Sequence, residues 1–141
     1  MSFEGPLEDR TAIRELLDTY ADAVSRCDAE AWASTWAEDA VWSMPDYPEY
    51  PDTQGKAAVV AMWVGAMKDF PGIMFQAWPG SIAVKGDRAE VRSWTAEVYD
   101  KDGMVHHDRG RYEDVCVKVN GRWLFHSRAF RNIHRQVSPK G

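Results

Sequence analysis

From residue 73 onward the chain repeats with a period of two. Residues 73–84, 89–99, 104–119 and 123–133 alternate apolar and polar side chains, and the turn sequences KGD, DKDG and NG join them. Connections this short make each run fold back on the one before, so the pattern predicts an antiparallel meander. Strands of this length must twist and curl. One face becomes concave, and whatever precedes the meander has to cover it.

The preceding residues carry the helical period. Ile13, Leu16, Leu17, Tyr20 and Val24 recur at spacings of three and four, with charges between them, and predict an amphipathic first helix. Cys27-Asp28 interrupts it, and Asp28 is placed to cap a short second helix presenting Trp32 and Trp36. Val41-Trp42-Ser43-Met44 reads as a strand, and the proline-rich PDYPEYPDTQG that follows reads as a loop. A third helix is expected over residues 55–68, stopped at Asp69-Phe70-Pro71-Gly72, and the tail QVSPKG is expected to fray. The fold class is therefore α+β: a cone-shaped, curved antiparallel sheet packed against three N-terminal helices, one domain over residues 1–141.

Charge and composition narrow the function. With 22 acidic against 17 basic residues and a net charge of -5, no uniform positive field exists to hold a nucleic acid. The longest apolar stretch, residues 57–67, is too short to span a bilayer, and MSFEGPLEDR lacks a secretory layout. A cytoplasmic protein is the expectation. Cys27 and Cys116 form no CxxC pair, and His106, His107, His126 and His134 show no metal-ligand spacing, so neither metal nor cofactor is expected. Nucleotide-binding and serine-hydrolase motifs are also missing from the sequence. Against this plain background stand seven Trp, five Tyr and five Phe, more rigid surface than a core this small requires. Such rings either fill the core or enclose a water-poor chamber for a hydrophobic or aromatic small molecule, and the second reading sets the functional expectation.

The segments RTAIRELLDTYADAVSRCDAEAWASTWAEDAVW and GRYEDVCVKVNGRWLF resemble the SnoaL-like branch of the nuclear-transport-factor-2-like superfamily, the branch of scytalone dehydratase and hexachlorocyclohexane dehydrochlorinase. The resemblance implies a cystatin-like α+β cone, cofactor-free proton-transfer chemistry and a homodimer or homotrimer. It also implies an Asp–His base dyad, and the matching positions here are Ser25 and Gln76, neither of which titrates near neutrality. Ser25 and Gln76 are then expected to bind substrate, and the base must lie elsewhere.

Four residues are candidates for catalysis. Tyr20 matches the tyrosine that holds the substrate oxygen in ketosteroid isomerase, although the isomerase's base position corresponds to Met44 here. Asp22 would serve as a base if buried beside tryptophan, or it is a helix-face partner of Arg26 at i+4. In HHDRGRY, alternation places His106, Asp108, Gly110 and Tyr112 on one face, which the resemblance favours as the pocket side, with His106 a base beside Asp108 and Tyr112 a second hydroxyl donor. Trp42 and Trp78 would sandwich a ring, and Arg128 or Arg131 would steady an oxygen-rich group, unless all four are core or surface residues. The expected activity is elimination of water, halide or formaldehyde from a cyclic or aromatic substrate. The alternatives are a ketosteroid-type isomerase and a non-catalytic small-molecule carrier.

Overall fold

A computed structural model describes residues 2–141. The elements run β1 (Phe3–Glu4), α1 (Leu7–Arg26), α2 (Ala29–Ala33), β2 (Trp36–Ser43), β3 (Thr53–Gln54), α3 (Lys56–Ala66) with a 3-10 turn (Met67–Asp69), then β4 (Met74–Lys85), β5 (Arg88–Lys101), β6 (Met104–Val119) and β7 (Arg122–Pro139). They form three helices over a curved, unclosed sheet of order β1-β4-β5-β6-β7-β2-β3. The meander β4 to β7 is antiparallel, as the turns dictate.

Four expectations are corrected. The sheet is mixed, because β1 joins β4 and β2 joins β7 in parallel after the helices carry the chain across the cone. Trp36 opens β2 rather than closing the second helix; β-branched Thr35 and the 3-10-like turn at Ser34 end α2 after one turn. The proline-rich loop ends in β3, which pairs antiparallel with Val41 and Trp42 and covers an otherwise open edge. The tail does not fray, because residues through Pro139 pair with the start of β6, up to Met104.

The apolar stripe of α1 lies on the concave face, with Ile13, Leu17 and Val24 buried against Ile82, Val91 and Phe125. Trp32 of α2 stacks on Trp63 of α3, centroids 4.6 Å apart and planes at 8°, and so fastens the two short helices together. The Asp28 carboxylate accepts the Ala31 N–H at 3.0 Å, the cap that the sequence predicts. Asp28→Ala should lower unfolding free energy by about 1 kcal/mol in a urea titration, because one buried-end donor loses its partner. Among the described residues, no helix is long and apolar enough to cross a membrane.

Candidate active site

Bulges decide which side chains enter the cone. In β4 the pairing shifts between Pro79 and Ser81, so Ile82 and Val84 face inward below the bulge, but Ile73, Phe75 and Ala77 do so above it. Gln76 and Trp78, which share the parity of Ile82, are therefore turned out, and Trp78 is 49% exposed. Neither contributes to a pocket inside the cone. In β7 the register shifts at Val115/Cys116, so Trp123 and Phe125 are followed on the inner face by Arg128 and Phe130. Arg131 consequently points outward, where it pairs with Asp46 and anchors the proline-rich loop. The inward arginine is Arg128, whose side chain is fully buried.

Two helix-one candidates also move out of contention. Asp22 sits on the solvent face of α1, 65% exposed, and accepts a hydrogen bond from Arg26 at 2.8 Å. The burial that a role inside the cone requires is not provided by the fold. The Ser25 hydroxyl oxygen accepts the Phe75 N–H at 2.9 Å and so ties α1 to β4. Ser25 thus stands in contact with the strand on which the resemblance puts a histidine, but the inward residue there is Phe75.

The expected chamber behind the tryptophans is filled. Trp32 and Trp36 are fully buried, and the rings of Tyr20, Trp32, Trp36 and Phe125 meet at centroid distances of 5.5 to 6.3 Å. Two concavities lie outside this packing: about 620 Å³ beside Pro6, Leu7, Glu8 and Thr11, and about 450 Å³ along Glu97, His107, Asp108, Arg109, His134 and Gln136. What remains accessible inside is the wide end of the cone, where Trp42, Val60, Met67, Phe70, Ala77 and Phe130 are only half-buried.

Two polar clusters lie on the inner face, the first built from α1, β2 and β6 and the second from β5, β6 and β7. In the first, the Tyr20 and Tyr112 hydroxyls lie 3.4 Å apart and the Trp42 indole N–H donates to Tyr112 at 3.4 Å. Burial pushes both phenols up from their ordinary value, so each stays an O–H donor at neutral pH. Contacts this long leave their protons free to turn toward a third oxygen. Beneath the phenols, Arg128 grips Asp114 through Nε at 2.8 Å and Nη2 at 3.1 Å, and its guanidinium lies 3.7 Å over the Tyr112 ring.

In the second cluster, Glu97 and Asp108 are directly opposed across β5 and β6. Asp108 is 3% exposed and both its oxygens are engaged, one by the Tyr99 hydroxyl at 2.9 Å and one by Arg135 Nε at 3.1 Å. Burial, followed by the Asp108 charge, carries the Glu97 carboxyl from 4.5 up to about 7. His106 is also inward, its ring stacked on Tyr99 at 4.9 Å and 11°, with Nδ1 buried and without a protein partner. The face assignment of His106, Asp108, Gly110 and Tyr112 thus agrees with the alternation. The expected His106–Asp108 couple does not form, because Asp108 is held by Tyr99 and Arg135. Glu97 escaped the sequence reading, although Val91, Ser93, Thr95, Glu97 and Tyr99 form one clean inner-face alternation that carries a lone acid.

A SnoaL-like domain model matches residues 5–129 of the chain. The chain belongs to the SnoaL-like family. No curated protein matches this SnoaL-like chain. Among solved structures it is similar to a provisionally assigned scytalone dehydratase from Novosphingobium aromaticivorans, with 25% identity and a TM-score of 0.82 over 92% of this chain and 87% of that one. It is similar to a type 2 hexachlorocyclohexane dehydrochlorinase at 14% identity and TM-score 0.79, covering 96% and 90%. A provisionally assigned dehydratase of the NTF2-like family from Streptomyces avermitilis gives 17% identity and TM-score 0.79, covering 92% and 99%. These likenesses support the SnoaL-like, cystatin-type cone as the scaffold, and they include dehydratases and a dehydrochlorinase.

Proposed function

We propose that the protein is a cofactor-free lyase that acts on a small hydrophobic ring compound at the wide end of the cone. The observation that carries this reading is Glu97, a carboxyl brought to about 7 next to a carboxylate already committed elsewhere. A group that is half ionised at neutral pH both accepts and returns protons, and general acid–base work of this kind is worth about 10²–10⁴-fold in rate. Glu97 takes a proton from carbon. The C–H electron pair moves toward a conjugated oxygen that Tyr20, Tyr112 and Trp42 hold by donation. The electrons then return to form the C=C bond as the adjacent carbon–oxygen or carbon–halogen bond breaks, and Glu97 gives its proton to the departing group. Alkene plus water or hydrogen halide balance the substrate.

An isomerase would share the first step and return the proton to another carbon, and the paired phenols favour that second reading. A panel of cyclic β-hydroxy ketones, aryl alcohols and diols, and unsaturated ketones, followed by absorbance, separates the two by product. For a turned-over substrate, kcat/KM should climb with pH and level off above about 7, since the base must be ionised. A complete lack of turnover across the panel, or a profile flat from pH 5 to 9, would overturn the assignment. Binding without chemical change would point to a carrier.

A further inference from the structure

Between the two polar clusters lies Gly110, and its backbone does not explain why it is glycine: it is absent from the positive-φ residues. The reason is a neighbour. A Cβ at position 110 would stand 2.4 Å from Cε2 and 2.7 Å from Cζ of Phe130, and 2.7 Å from Thr95 Oγ1. The Phe130 ring therefore lies against the bare backbone of β6, closer than any side chain at 110 would permit. Phe130 is also only half-buried, on the inner face beside Tyr112, with centroids 5.0 Å apart.

Register fixes where this surface sits. Tyr112 pairs with Ser93, Gly110 with Thr95 and Asp108 with Glu97, so Gly110 is one two-residue step from the phenols and one from the carboxyls. Each step is about 7 Å. We infer that Phe130, seated by Gly110, is the stacking platform of the site and selects a six-membered ring. The ring carries a carbonyl oxygen at the end facing Tyr112 and, at the opposite, para-like end facing Glu97, the reacting C–H, conjugated to that oxygen through a ring C=C bond so that the electron pair can reach it. This inference rests on the lyase reading and adds the shape of the substrate to it. Offset stacking on Phe130 would hold a planar ring at a height from which both ends reach their partners, which an open-chain molecule of equal hydrophobicity would not gain.

The probe is 4-ethylphenol, compared with 1-octanol, with binding measured by saturation-transfer NMR and calorimetry on the full chain. The wild-type protein should bind the phenol and saturate its ring protons, and bind octanol more weakly. Phe130→Leu should weaken phenol binding at least about fivefold while leaving octanol unchanged, and Gly110→Ala should do the same by displacing the ring. Phe130→Trp, which keeps a flat surface, should restore affinity. Melting curves identify any variant that fails to fold, and Phe130→Leu with Phe130→Trp then decides without Gly110→Ala. Equal affinity of wild type and Phe130→Leu for the phenol, or no phenol binding by wild type, overturns the platform. Glu97→Gln should retain phenol binding, so loss of turnover in that variant tests the base and leaves the platform to its own measurement.

Discussion

Glu97→Gln should lower turnover of any substrate the protein accepts by about 10²–10⁴-fold, with KM nearly unchanged. Glutamine keeps the size and the hydrogen-bonding atoms of the side chain but cannot take a proton from carbon. The same variant should alter stability in a direction opposite to that of carboxylates held ionised by ion pairs, whose pKa folding lowers. In the folded protein the Glu97 carboxyl sits at about 7, against 4.5 when unfolded, so the folded state holds the extra proton between those values. Its favourable contribution is complete below about 4.5 and is lost as pH climbs through about 7. Relative to Glu97→Gln, the wild-type protein should therefore weaken by no more than about 3 kcal/mol across that window, and by less because water reaches the mouth of the cone. Urea titrations of both proteins at pH 4.5, 6 and 8 give the comparison. If the stability difference between them did not change with pH, Glu97 would be an ordinary carboxylate and the base would have to be sought again, with His106 the first alternative.

The sequence made the architecture legible because periodicity is a local property. The turns KGD, DKDG and NG forced neighbouring strands together, and the stripe of Ile13, Leu16, Leu17, Tyr20 and Val24 named the helix face that covers them. The site was less legible, for two reasons. Alternation is read by counting, and a bulge changes the count without changing the composition. Gly80 in β4 and the shift near Phe125 in β7 put Gln76 and Trp78 on the face opposite Phe75 and Ala77, and Arg131 on the face opposite Arg128 and Phe130. Glycine at 80 does give a signal: a Cβ there would come within 2.8 Å of the Trp94 indole nitrogen, and a glycine inside an otherwise apolar strand marks such a bend. The second reason is that burial depends on how tightly distant elements close. Aromatic abundance could not distinguish a lined chamber from a packed core, and Trp32 and Trp36 proved to be packing. Where no bulge intervened, on the inner face of β6, alternation placed His106, Asp108 and Tyr112 correctly, whereas Glu97 lies across the ladder from Asp108 on β5 and came to light only with the strand register.

Removing the carboxylate beneath the phenols should cost the fold more than any surface change. Asp114→Ala leaves Arg128 charged, with its side chain at 0% exposure, and strips it of its bidentate partner. An uncompensated buried charge costs about 3–5 kcal/mol, which for a chain this size lowers Tm by about 10–20 °C in calorimetry. The pair is not, however, expected to be a net source of stability, since burial penalises both charges and pushes Asp114 up even as Arg128 opposes the shift. The double variant Asp114→Leu, Arg128→Met should accordingly recover most of the lost Tm by replacing the ion pair with apolar groups of similar volume. It should not recover full activity. The guanidinium lies over the Tyr20 and Tyr112 rings, at 4.4 and 3.7 Å, and its charge opposes the rise that burial imposes on both phenols. Without that charge the hydroxyls become weaker acids and poorer donors to a developing oxyanion, so kcat should fall about tenfold in a protein that melts normally. A double variant as active as the wild type would show that Arg128 serves packing alone; one that stays as unstable as Asp114→Ala would show that the ion pair, and not apolar filling, is what this interior requires.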